Sequence, residues 1–315
     1  VTLATVLVDL VQVLLFAALA PVLIGVTRQV RARLEGRAGA GIWQPWRDIR
    51  KLLVKQPVRA PGSSWILRVA PLVLTISSLV LAALLPLVST VAGRLIPGDL
   101  FVVVSVLLIG AVALALVGLD AGTAFGGMGS SRHMTVLALV EPTLLLAIYA
   151  LSIPSGSSNL AIIVDSRLAN PSIIVSPVGL LAMAAFIIAV AAETGRLPVD
   201  NPSTHLELTM MHEAMLLEST ARDLGWLEFG SWLKLTVLLG LIGNLLIPWG
   251  VATTTDPMQV VVGVPAVILK VLVLGGMLSV GEVLLAKVRL FRVPELLAGS
   301  FVLAFLAVAV SAMVP

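Results

Sequence analysis

Apolar residues run in long blocks along most of the chain, and charged residues gather in the short stretches between them. At about 1.5 Å of rise per residue, roughly 20 residues cross a ~30 Å hydrocarbon layer. Eight blocks reach that length: 3–26, 65–91, 100–119, 134–153, 173–192, 228–249, 260–285 and 295–314. The pattern predicts an all-α polytopic membrane protein of about eight transmembrane helices. It forms one integral membrane domain over 1–315, with cytoplasmic loops at 27–64 and 193–227. The first block has no basic run ahead of it, contains Asp9 and extends over about 24 residues, which reads as a retained span rather than a signal peptide. No long repeat recurs, and Pro154 to Pro171, with Ser155, Ser157, Ser158 and Asn159, reads as an ordinary outer loop.

Composition supports that pattern. The 315 residues are 59% hydrophobic and 12% charged, with a mean hydropathy of +1.09, which excludes an ordinary soluble domain. The absence of cysteine means that this chain offers no thiolate to an iron–sulfur cluster, a nickel site or a structural zinc. Sixteen of the 20 Lys and Arg fall on one side of an eight-span arrangement, ten of them from Arg28 to Arg68. By the positive-inside rule that side is cytoplasmic, so both termini face outward from a plasma membrane.

Two polar loops carry candidate chemistry. In the first, Trp46, Ile49, Leu52 and Leu53 fall on one arc of a helix and Arg47, Asp48, Lys51 and Lys55 on the other. That describes an interfacial amphipathic helix, either lying on anionic lipid or forming a docking wall. The glycines at 36, 39 and 41 before it suit a close backbone approach. The second loop holds six of the 17 acids, Glu193, Asp200, Glu207, Glu213, Glu218 and Asp223, against Arg196 and Arg222. Pro198 and Pro202 interrupt any helix, and a new one is predicted from Thr204 to Arg222, with His205, Thr209, His212 and Glu213 along one face. A helix polar on two faces lines an aqueous cavity or meets another subunit. His212-Glu213 opens like a zinc motif, but position 216 is Leu, and His205 with His212 gives only two ligands, so no metal site is expected.

Within the spans, Asp9, Glu141, Lys234, Lys270 and Glu282 stand out, because an ionised side chain at bilayer depth costs at least about 2.5–3.5 kcal/mol. Asp9, Lys234 and Glu282 sit near enough to span ends to reach hydrated headgroups. Glu141, followed by Pro142, has no such escape and points to proton handling.

The stretches "EGRAGAGIWQPWRDIRKLLVK" (35–55), "GMGSSRHMTVLALVEP" (127–142), "AETGRLPVDNPSTHLELTMMHEAMLLE" (192–218) and "KVRLFRVPELLAG" (287–299) resemble the membrane subunit of formate hydrogenlyase and related energy-converting nickel–iron hydrogenases. That family is homologous to the complex I membrane subunit (subunit 1, H-type) that helps form the quinone chamber. The resemblance implies an eight-helix, proton-coupling anchor for a cytoplasmic redox module. The implied partners are hydrogenase-like large and small subunits, an iron–sulfur subunit, antiporter-like membrane subunits and membrane lipid, with no nucleic acid. This chain binds no cofactor itself; a NiFe centre and iron–sulfur clusters belong to the partners, with quinone left open. By position, Glu193, Arg196, Asp200, Glu207, Glu213 and Glu218 look like an acidic path, with Glu141 its intramembrane continuation. Arg37, Asp48 and Lys51 form the facing wall, and Arg132, His205 and His212 join the cavity or docking surface. After the Arg-x-Pro-x-Asp element, complex I members continue with a Pro-Glu-Ala-Glu-like run where this chain has "NPSTHLELTMMHE", the hydrogenase-like form.

Three alternatives remain open from the sequence. One is a quinone-reactive complex I type subunit. Another is a stand-alone secondary transporter, against which the missing inverted repeats speak. The third is a passive anchor, for which Glu141 would be unnecessary.

Overall fold

The computed structural model describes residues 3–59, 62–91, 98–200, 210–254, 256–285, 288 and 290–313. Among them the chain is helical with no strand, and seven helices are long and apolar enough to cross a membrane. These are α1 (Leu3–Leu34), α3 (Ile66–Leu84), α4 (Leu100–Asp120), α5 (Ala124–Ser152), α9 (Ala221–Leu246), α10 (Pro257–Leu284) and α11 (Val293–Met313). An eighth apolar helix, α7 (Pro177–Glu193), has 17 residues, at the lower limit of about 17 for a crossing. The shorter helices are α2 (Gln44–Val54), α6 (Leu160–Ala169) and α8 (His212–Leu216).

Local chemistry sets several starts. Ser176 and Asp256 accept hydrogen bonds from the backbone N–H of Gly179 (3.0 Å) and Met258 (3.1 Å), and Pro177 and Pro257 follow as first helical residues. Both are sound helix openings, a side-chain cap followed by a proline that needs no donor. Thr123 caps α5 through Gly126 N–H, ten residues before the predicted span begins, because capping and not hydropathy sets where the backbone first turns helical.

Helix α9 is the pillar, packed by α3, α1, α2 and α10, while α5 packs against α7, α11, α4 and α8. Close approach is made by small residues: Gly230 faces Thr75, and Gly240 faces Phe16 and Leu87. The first loop is strapped to the start of α9. Arg59 donates to both carboxylate oxygens of Asp223 (2.9 and 3.2 Å), and Thr220 exchanges hydrogen bonds with the backbone of Val58.

Five expectations need correction. The stretch 154–171 is not a plain loop: Asn159 caps α6 through Ala161 N–H at 2.9 Å, and Arg167 turns inward, 1% exposed, donating to the Leu245 carbonyl at 2.6 Å. The predicted helix from Thr204 to Arg222 is not continuous: residues 204–209 lie outside the described residues, and from 210 on His212–Leu216 is helical before a break at 217–220. The block 65–91 is helical only to Leu84, before Pro86, and α9 begins at Ala221 rather than near residue 228. Lys234 and Glu282, read as interfacial, are both buried. Starting α9 seven residues earlier carries Lys234 correspondingly deeper along the helix.

Candidate functional site

The charged residues that the apolar pattern makes conspicuous converge at one end of the bundle. There the C-terminal parts of α1 and α7 meet the first turns of α9. Three ionic contacts organise this region. Lys234 on α9 donates to the Glu193 carboxylate and to the Glu193 carbonyl, each at 3.1 Å. Glu282 on α10 accepts from Arg196 at 3.3 Å and makes a short ion pair with Arg31 of α1. Asp200 accepts from the backbone N–H groups of Met211 (3.2 Å) and His212 (3.1 Å), which ties the end of the α7 segment to the start of α8. For these buried carboxylates, opposite charges and N–H donors replace the water that burial removes.

Three neighbouring cavities run through this region. One, of about 240 Å³, opens between α2 and α9 and is lined by Arg28, Asp48, Lys51, Glu228 and Trp232. It shares Arg28, Glu228 and Trp232 with a second, of about 130 Å³, which reaches Arg31, Arg196, His212 and Glu213. His212 and Gly195 also border the third, which leaves about 10 Å³ for water beside His133, Glu193 and Asp200. Beyond it, Glu141 on α5 lies within electrostatic reach of Glu193 and keeps one carboxylate oxygen buried without a hydrogen-bond partner. Glu141 borders none of the three cavities, and its Coulomb interaction with Glu193 is what links it to them.

The electrostatics are mixed. Burial pushes His212 down from 6.5 to about 4, with Lys234 and Arg196 adding to the effect, so its imidazole is neutral at pH 7. Burial also lowers the Arg196 guanidinium, and the Glu282 carboxylate opposes that shift. Arg28 stacks over the Trp232 ring at 5.4 Å and stands 3.8 Å from Asp48, an exposed contact of small energetic worth.

Of the residues expected from sequence, Glu193, Asp200, His212, Glu213, Arg196, Asp48 and Lys51 line these cavities. Arg132 sits at their edge, donating to the Met210 carbonyl at 3.3 Å. Glu218 lies half-buried in the turn after α8, and Arg37 pairs with Glu35 on an exposed loop; neither borders a cavity described above. His205 and Glu207 fall outside the described residues. Among the described residues no group of three or more His, Cys, Asp or Glu is placed to hold a metal ion.

The sequence reading passed over Arg28, Arg31, His133, Glu228 and Trp232, and gave Lys234 and Glu282 no role in the site. Arg28 and Arg31 counted only toward membrane orientation, although their spacing of three puts both near one helix face. Glu228 and Trp232 repeat four apart at the head of α9, a signal that was available.

Fold and site together define an all-helical membrane subunit with an internal, ion-paired polar path. The chain belongs to the NADH dehydrogenase family, which it matches over residues 6–313. It is 34% identical to hydrogenase-4 component C of Escherichia coli (strain K12), over 95% of this chain and 93% of that protein. It is also 34% identical to formate hydrogenlyase subunit 4 of the same organism, over 96% and 97%. NADH-quinone oxidoreductase subunit 8 of Rhodothermus marinus is 26% identical over 60% of this chain and 58% of its own length. In fold, the chain is similar to one from the membrane-bound sulfane sulfur reductase, an archaeal respiratory membrane complex, with a TM-score of 0.83, 18% identity and coverage of 98% and 99%.

Proposed function

We propose that this chain is the membrane anchor and proton-coupling subunit of a multisubunit hydrogenase or formate hydrogenlyase type complex. In this reading it docks a redox module at the basic end and links electron transfer there to ion movement in the membrane. The carrying observation is the series of cavities from Asp48 and Lys51 to Glu193, with Glu141 beyond. Carboxylates that share a low-dielectric region titrate as a coupled set, so a charge change at one end alters proton occupancy at the other. The NiFe centre and iron–sulfur clusters reside in the partner subunits, since this chain has no cysteine. The basic end faces the cytoplasm, and antiporter-like neighbours in the plasma membrane carry the ions.

The test is Glu141→Gln in the whole complex, reconstituted into vesicles. Electron transfer accompanied by a loss of proton movement of about a hundredfold or more is expected, the lower end of what a positioned proton-transfer group contributes. Full assembly with undiminished coupling would sink the proposal.

One observation favours a second reading. An almost purely apolar cavity of about 380 Å³, lined by Leu14, Ile49, Leu53, Trp226 and Phe229 among others, also lies between α2 and α9. It would take the tail of a quinone whose head group reached Arg28, Glu228 and Trp232, where the quinone would serve as a two-electron acceptor. Quinone reduction by the purified complex, lost in Phe229→Glu, would favour this reading over hydrogen evolution.

A further inference from the structure

We propose that His133 is a proton-transfer residue, working through one water held between His133, Glu193, Asp200 and His212. The inference rests on the coupling role proposed above and assigns it a specific acceptor. His133 lies on α5, with its ring against the backbone of Ala111 on α4. Its Nε2 is buried and has no hydrogen-bond partner. In the neutral ring with its hydrogen on the other nitrogen, Nε2 is a bare acceptor open to a proton. His133 also forms part of the wall of the smallest cavity, where Glu193, Asp200 and His212 are the other ionisable groups and about 10 Å³ is left for water. That is room for one molecule, and the wall supplies the two to four polar partners that a buried water needs.

The proton balance is simple. The water gives one proton to His133 Nε2 and takes one delivered from solvent through the neighbouring cavity, with which this one shares Gly195 and His212. The imidazolium then releases the Nε2 proton to the Glu193 carboxylate and returns to its starting tautomer. Glu193 becomes neutral, which weakens its hold on Lys234, and Glu141 is the next carboxyl within its electrostatic reach. A histidine serving only to pack α5 against α4 at Ala111 would not need an open polar space at Nε2.

The experiment uses the intact complex in vesicles and reads protons moved per electron transferred, with subunit composition checked on native gels. His133→Gln keeps an amide against Ala111 that cannot carry a proton, and His133→Ala leaves space for added imidazole. The expected result is a fall of about a hundredfold or more in both variants, with imidazole restoring proton movement in His133→Ala and not in His133→Gln. A wild-type ratio in His133→Gln, beside a lost ratio in Glu141→Gln, overturns the role of His133 and leaves the coupling path standing. Wild-type ratios in both variants overturn the coupling path as well. A loss in His133→Ala that imidazole does not repair shows that the ring acts by packing and overturns the proposal, and His133→Gln remains informative if the alanine variant fails to assemble.

Discussion

The Glu193–Lys234 pair places two charged side chains, 1% and 5% exposed, where a tightly packed apolar pair would be at least as stable. Folding alone therefore gives no reason to keep them, and the pair fits a site whose charge has to change. Removing one partner strands the other. Lys234→Met is expected to cost about 3–5 kcal/mol, and adding Glu193→Gln should recover most of that. Unfolding in detergent, followed across the four variants of the cycle, checks it; additive losses would mean that the two groups do not interact. His212 supports a second prediction at this scale. Its folded value of about 4 lies below the ordinary 6.5, so the unfolded chain binds more protons between these limits. The stability contributed by the neutral ring is complete above about pH 6.5, falls as pH drops toward 4, and then levels off. His212→Asn should remove that component, and the difference between the two Tm profiles from pH 7 to 4 measures it. Parallel profiles would mean that the ring is not held neutral by the fold.

The elements show why some of the site could be read in advance and some could not. Gly25 lies within α1, and a Cβ there would fall on the backbone carbonyl of Ile42. Gln29, one turn later, accepts from Gly41 N–H at 3.0 Å and donates to the Ala38 carbonyl at 2.9 Å. Together they fold the loop back along α1 and set the position of α2. Gly25→Ala should push this loop away at a cost of about 1–3 kcal/mol, seen as faster trypsin cleavage near Arg37 and a lower Tm; unchanged cleavage would show that the loop adapts freely. Glycines 36, 39 and 41 have φ of 74°, 77° and 94°, so they make turns that an L-residue resists, a local role that the sequence alone did not distinguish from approach to a partner. The amphipathic α2 was legible because it obeys a helical period, and Ile49 is indeed buried in it. Glu193, Asp200 and Glu141 were legible because acids are conspicuous in an apolar chain. Arg31, Arg196 and Glu282 come from three distant parts of the sequence, and no local period brings such residues together. Helix α6 was missed for another reason: its ten residues are too few to read as a span, and serine-rich flanks imitate a loop.

For the whole molecule, α6 decides the count of crossings. Its ten residues rise about 15 Å, half of a hydrocarbon layer, so α6 adds no crossing between α5 and α7, and the described residues hold seven helices of crossing length with α7 at the limit. The three crossings between residue 37 and residue 157, α3, α4 and α5, put them on opposite sides, which agrees with the clustering of basic residues before α3. Because the chain has no cysteine, single replacements can report this cleanly. Arg37→Cys and Ser157→Cys are both in loops away from the ion pairs described for the site. In inverted vesicles, a membrane-impermeant maleimide should label residue 37 and leave residue 157 unlabelled until detergent is added. Right-side-out cells should give the reverse. Labelling of both positions from one face would require one of α3, α4 and α5 to be counted differently. That result would move Glu193, at the end of α7, away from the basic side, and the ion pair to Lys234 would then lose its connection to a docked redox module.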